Sequence, residues 1–165
     1  MRLRAPGSRQ NADLHSCAPD LGSYYRLMIT FQFLSDPDAA DLRQIITLYR
    51  QAEWWGSGPD DPDLVRRIVN GSHCFVAARR GTTVVGMGRA ISDGASDAWI
   101  QDVTVSPDFR RRGIASEIVR RIVERLESDG LMWIGLVAER NTAPLYRPLG
   151  FEGMADALPM RRRTT

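Results

Sequence analysis

Between Val103 and Ser128 a β-branched run, Val103-Thr-Val-Ser-Pro107, gives way through the turn Arg110-Arg-Arg-Gly113 to an amphipathic stretch opening at Ile114. Ile114, Ala115, Ile118, Val119, Ile122, Val123 and Leu126 recur three and four residues apart with Arg and Glu opposite, which predicts a helix from Gly113 to Ser128 with one continuous apolar face. A strand followed by such a helix needs a sheet to cover. The short apolar run from Met132 to Ala138 then reads as a strand parallel to the first and buried on both faces. The turn between strand and helix is an anion cradle: the first helical N–H groups have no intrahelical partner and sit at the positive end of the dipole. Gly113 lets the backbone approach an anion closely, and Arg110, Arg111 and Arg112 add charge-assisted donors suited to phosphate oxygens.

What the chain lacks narrows the nucleotide chemistry. All 22 basic residues are arginine. A Walker P-loop needs a lysine on the β/γ-phosphates and a pyridoxal-phosphate enzyme needs one for its Schiff base, so both are excluded. Gly86-Met-Gly88 is a lone G-x-G inside an apolar run and does not open a helix, so it is no Rossmann fingerprint. A formal net charge of +2 comes from mixed signs along the chain and does not call for nucleic acid. No apolar run approaches the ~20 residues of a membrane span, and no signal peptide is evident, so the reading is cytoplasmic without a membrane partner. Cys17, Cys74, His15 and His73 show no metal-ligand or nucleophile spacing.

With 43% hydrophobic residues in 165, a single domain with a real core is expected over residues 24–165, behind a flexible, aperiodic leader over residues 1–23. Met28 beside the first strand raises the hypothesis of a shorter product starting there, which a mass spectrum showing the full leader would exclude. Expected elements are a strand Met28 to Phe33, a helix Asp38 to Ala52 capped by Asp36-Pro-Asp38 with a core stripe of Ala39, Leu42, Ile45, Ile46 and Tyr49 at helical spacing, a helix Pro62 to Asn70 stopped by Gly71, and strands Cys74 to Arg79 and Thr83 to Ile91. In the strand Ala98 to Val105, Ile100 and Val103 are both apolar yet three apart, so a β-bulge near Asp102 is predicted to restore the phase. A short helix, Thr142 to Leu149, precedes last strands expected between Phe151 and Met160.

Arg110-Arg-Arg-Gly113-Ile-Ala115 resembles the [Q/R]-x-x-G-x-[G/A] motif of the GNAT superfamily of acetyl-coenzyme A dependent N-acetyltransferases, and Gln101 to Pro107 looks like that family's fourth strand and the proline after it. Tyr146-x-x-x-Gly150-Phe151 extends the resemblance, which runs from about Leu27 to about Met160. It implies an α/β fold with a central mixed sheet splayed at strands 4 and 5 and helices on both faces. It implies acetyl-CoA as cofactor, with coenzyme A as product, and transfer of the acetyl group directly to a primary amine of a small-molecule acceptor. A protein N-terminus or lysine is the alternative acceptor, a non-catalytic nucleic-acid or CoA-binding module the alternative class, and homodimer assembly is left open.

By the same resemblance, backbone groups of Val103 and Val105 bind the pantetheine arm, the Val103 N–H polarises the thioester carbonyl, and the pyrophosphate lies on the amides from Arg111 through Gly113, Ile114 and Ala115 to Ser116. Tyr146 falls at the general acid's place, four residues before Gly150, or else packs the last helix onto the sheet, with Pro148 shortening that helix. The family's asparagine position holds Glu139, which leaves Asn141 as the cofactor ligand to be carried over. Asp102 is either a general base acting through water or a charge that attracts the ammonium; Gln101 stands where some relatives have Glu. Trp54-Trp55 either edges the acceptor pocket or has one of the pair packed in the core while the other shields it, and Arg89 and Asp93 either read a substrate's charges or pair at the surface. Arg161-Arg-Arg163 reads as a solvated tail. No metal is expected.

Overall fold

The structure, a computed structural model, describes residues 28–162; the expected leader, with His15 and Cys17, lies outside the described residues. The elements are β1 (Ile29–Phe33), α1 (Ala39–Gln51), α2 (Pro62–Asn70), β2 (Cys74–Arg80), β3 (Thr83–Ser92), β4 (Asp97–Val105), α3 (Ile114–Ser128), β5 (Trp133–Leu136) and α4 (Ala143–Tyr146). Short 3₁₀ turns occupy Pro107–Phe109 and Arg147–Leu149. Local chemistry explains the helix boundaries. Asp38 accepts from the N–H groups of Ala40 and Asp41 while the Asp41 carboxylate receives the Asp38 N–H, a capping box that starts α1. Asp61 caps α2 through the Leu64 N–H, with Pro62 at the first helical position where its missing donor costs nothing.

The sheet runs β1-β2-β3-β4-β5 in space. The first four strands are antiparallel neighbours, and β5 joins β4 in parallel because α3 carries the chain back across the sheet. Alternation along the strands feeds two cores. Val76, Ala78, Ala98, Ile100 and Val105 face α3, packing with Ile118, Ile122 and Leu126. Phe75, Ala77, Val84 and Met87 face α1 and α2, packing with Leu42, Ile45, Tyr49, Val65 and Val69. The expected mixed sheet with helices on both faces is the observed one.

Gly86-Met-Gly88 finds its explanation here. A Cβ on Gly88 would lie 2.7 Å from Ile118 Cγ2 and 3.3 Å from Ile122 Cδ1, so the missing side chain is what lets α3 seat its isoleucines directly on β3.

Two expectations are corrected. Among the described residues no strand follows Phe151: the segment to Met160 contains no β-branched residue, is broken by Gly153 and Pro159, and turns at Asp156 with φ 60°. As a result β5 has no neighbouring strand on its outer side among the described residues, and Trp133 is exposed while Ile134 and Leu136 are only half-buried, so the strand is not buried on both faces. The Pro148 effect does appear, since α4 ends at Tyr146 and tightens into the 3₁₀ turn.

Away from the cleft described below, His73 is a staple. Its Nδ1 lies 2.7 Å from Ser92 Oγ and its Nε2 2.8 Å from Asp129 Oδ2, tying together the ends of β2, β3 and α3. Cys74 beside it is a buried free thiol that burial pushes up to about 11. Among the described residues no helix is long and apolar enough to cross a membrane.

Candidate active site

The predicted bulge is present and exact in register. Met87 pairs with Thr104 and Arg89 with Gln101, so the single residue Gly88 opposes both Asp102 and Val103. Asp102 adopts φ 55°, the left-handed region that costs a non-glycine residue about 1 kcal/mol. The extra residue keeps Ile100 and Val105 on the α3 face, and it turns the Asp102 side chain to the opposite face, towards α1.

Pairing between β4 and β5 stops at Ile100 with Leu136, whereas β4 continues five residues further to Val105. Beyond that point the two chains part. The gap opens into a cleft of about 1550 Å³ whose walls are Gln101–Val105 on one side and Val137 and Glu139–Thr142 on the other. At one end the cleft reaches Arg110, Arg111, Gly113, Ile114, Ala115 and Ser116; at the other it reaches Gln51–Trp54 and Trp99.

The cradle end is built from backbone. Arg111 (φ 62°) and Gly113 (φ 76°) are both left-handed, and Gly113 is the N-cap of the fifteen-residue α3 with no side chain capping the first amides. A Cβ at Gly113 would meet nothing within 4 Å, so space remains in front of those amides. The Glu117 carboxylate in the first turn is occupied by Arg120 and Arg121, which hold it below the usual carboxylate range. The donor set suits a pyrophosphate: unfilled N–H groups at a helix start with an arginine alongside. The three arginines are not equivalent. Arg111 lines the cleft, Arg110 also lines it but spends its Nε on the Val105 carbonyl at 3.0 Å, and Arg112 lies outside it with its guanidinium 5.4 Å above the Phe109 ring.

Tyr146 lines the cleft from α4, 9% exposed, its ring edge-on to Phe151. Burial raises its pKa, so the phenol keeps its proton at neutral pH. Asn141 (φ 61°) and Glu139 both line the wall opposite β4.

At the Gln51–Trp54 end the tryptophans divide. Trp54 is 39% exposed and lines the cleft, while Trp55 does not line it and stacks on the Tyr49 ring at 4.5 Å and 8°. Arg50 shapes the connection between them and α2, donating to the carbonyls of Gly56 and Gly58, each at 2.6 Å, and to Asp60.

Two candidates are corrected by position. Asp93 lies in the β3–β4 loop outside the cleft, where its carboxylate accepts from the N–H groups of Ala95, Ser96 and Asp97 and is lowered by them. Arg89 does not line the cleft either: its Nε donates to Asp102 Oδ2 at 2.5 Å and its Nη2 to Gln101 Oε1 at 3.0 Å. Asp102 and Gln101 do line the cleft. Sequence reading placed Tyr49 in the core by its helical spacing and missed its hydroxyl, which donates to the same Asp102 Oδ2 at 2.8 Å. Burial, then the Asp102 charge, push the Tyr49 pKa up. Trp99, Glu53 and Arg140 are further cleft residues for which the sequence carried no signal beyond their neighbours.

Residues 39–151 match the model of the Acetyltransferase (GNAT) family. GCN5-related N-acetyltransferase 1, chloroplastic, of Arabidopsis thaliana is 36% identical over 74 residues, covering 45% of this chain and 38% of the relative. Serotonin N-acetyltransferase 2, chloroplastic, of Oryza sativa subsp. japonica is 35% identical over 74 residues, covering 45% and 37%. The chain therefore spans about two fifths of the length of these relatives. Among solved structures, a GNAT family acetyltransferase from Streptococcus pneumoniae TIGR4 superposes with a TM-score of 0.66 at 23% identity, covering 83% of this chain and 98% of that one, a likeness of fold.

Proposed function

Since the chain belongs to the Acetyltransferase (GNAT) family, we propose that it moves an acetyl group from acetyl-CoA directly onto the primary amine of a small molecule. One observation carries the reading: a cleft opened where β4 leaves β5 runs without interruption into the uncapped, left-handed start of α3. When bound, acetyl-CoA supplies the activated acetyl group. The Arg111–Ser116 amides and the Arg111 guanidinium hold its pyrophosphate, and the Val103 and Val105 backbone holds its pantetheine arm as an added strand edge would. The Val103 N–H, beside the bulge, would donate to the carbonyl oxygen on which charge develops. Tyr146 keeps a phenolic proton inside the cleft for the departing sulfur, while the amine's proton leaves to solvent at the open mouth. An N–C bond forms, a C–S bond breaks, the thiol leaves with the Tyr146 proton, and the Tyr146 phenolate takes a proton back from solvent to close the cycle.

The acceptor end favours a cationic amine on an apolar body. Trp54 and Trp99 offer aromatic faces, and Glu139 adds a carboxylate to the cleft wall, Glu53 being paired with Arg140 at 3.4 Å. That one relative is named a serotonin N-acetyltransferase fits this class of acceptor. A nucleic-acid module gains no support from the arginines of α3, because Arg120, Arg121 and Arg125 are already paired with Glu117, Glu124 and Asp129. The test is calorimetric titration with acetyl-CoA, followed by thiol release across a panel of amines. One-to-one binding and amine-dependent thiol release are expected; absence of binding overturns the proposal, and salt-sensitive nucleic-acid binding without competition by coenzyme A points to the other class.

A further inference from the structure

Asp102 stood as a candidate base, yet its surroundings describe a different task. It is a non-glycine residue in the left-handed region, at the bulged position of β4, immediately before Val103, which lines the cleft. Its Oδ2 receives two donors, the Tyr49 hydroxyl at 2.8 Å from α1 and Arg89 Nε at 2.5 Å from β3. Arg89 also holds Gln101 at 3.0 Å, so both residues leading into the bulge are gripped from the neighbouring strand. Tyr49 is 2% exposed and fixed in turn by Trp55 stacked at 4.5 Å and Trp54 edge-on at 6.0 Å. A carboxylate oxygen that receives both a guanidinium and a phenol is held in place from two elements at once.

We propose that Tyr49 and Arg89 are positioning residues that clamp Asp102 in its left-handed conformation and so aim the Val103 N–H into the cleft. Asp102 is then a latch and not the general base. Because the Tyr49 ring is also the surface on which Trp54 and Trp55 rest, the latch joins the acceptor loop to the acyl-binding amide through one side chain. The catalytic consequence rests on the acetyl-transfer reading above; the conformational one does not.

Asparagine tolerates the left-handed region and its side-chain oxygen still accepts from Tyr49, whereas alanine does neither. Asp102→Ala is therefore expected to lower kcat at least tenfold, with Asp102→Asn recovering most of the loss. Tyr49→Phe, which keeps the ring stack and removes only the donor, is expected to lower kcat several-fold at unchanged KM for acetyl-CoA. The second readout needs no substrate: the Val103 amide resonance of the free protein moves in Asp102→Ala and Tyr49→Phe, and returns towards its wild-type position in Asp102→Asn. If Asp102→Asn is as inactive as Asp102→Ala while its Val103 resonance is unmoved, Asp102 is the base and the latch is overturned. A Val103 resonance unmoved in Tyr49→Phe overturns it equally, and that variant serves if Asp102→Ala does not fold. Should wild-type protein fail to bind acetyl-CoA, the functional reading fails, while the amide shifts still decide the latch.

Discussion

Replacing Gly113 with alanine isolates the conformational demand of the anion cradle. The residue sits at φ 76°, and a Cβ there would meet nothing within 4 Å, so the substitution adds no clash. What remains is the preference of an L-residue for other backbone regions, about 1 to 2 kcal/mol. That cost has two places to appear. If alanine is held left-handed, the folded state carries it, and urea unfolding shows a loss of about 1 to 2 kcal/mol, or roughly 3 to 6 °C in Tm for a domain of this size. If the free protein relaxes the turn, stability is spared and the strain returns on binding, weakening acetyl-CoA by roughly five- to thirtyfold. The two losses, measured by urea titration and calorimetry on the same variant, should sum to the same 1 to 2 kcal/mol. Gly113→Asn should lose less on both scales, since asparagine visits this region more readily. Unchanged stability together with unchanged affinity would refute the claim that the left-handed N-cap shapes the site. A combined loss above about 4 kcal/mol would refute the claim that the space is open.

Arg111 makes the converse prediction: at φ 62° it is strained, so Arg111→Gly should hold or gain up to about 1 kcal/mol in urea while losing cofactor affinity, and a loss of both would contradict that. Gly88→Ala forces a Cβ within 2.7 Å of Ile118 Cγ2 and should cost about 1 to 3 kcal/mol of stability; a neutral effect would mean that α3 can lift off β3 freely. Tyr146→Phe should lower kcat about 10²-fold with acetyl-CoA affinity within twofold, and full turnover would remove Tyr146 from the mechanism. The pH dependence has a definite sign. Burial raises both Tyr49 and Tyr146, so their neutral forms stabilise the fold below pH ~10 and that stability is lost as pH rises through the higher folded values. Urea midpoints should thus fall more steeply above pH ~10 in wild type than in a Tyr49→Phe, Tyr146→Phe double variant. At the acid end, Asp93 is lowered by loop amides, so its contribution is present above pH ~4 and lost as pH falls; Asp93→Ala should flatten that limb.

The parts of this fold legible in the sequence are those written in local pattern. The three-residue gap between Ile100 and Val103 announced the bulge, because alternation along a strand has no other way to change phase. The apolar face of α3 and the Asp38 cap were equally local. Tyr49 shows where pattern stops: its spacing put it in the core, correctly, but a phenol carries an apolar ring and a polar tip, and only the packing of α1 across β4 reveals that the tip meets Asp102. Arg89 and Asp93 failed for the same reason, since whether a charge faces a cleft, a loop amide or another charge is decided by partners far away in the sequence. The strands expected after Phe151 had no β-branched residue behind them.

The central claim is that the splayed end of β4 and the start of α3 form one acetyl-CoA site, and it is tested most directly by titrating ¹⁵N-labelled protein with acetyl-CoA and following backbone amides. The account predicts saturable shifts at Val103, Val105 and Arg111 to Ser116, with β1 and α2 unmoved. Shifts absent from those amides, or centred on the β1 and α2 side of the sheet, would contradict it.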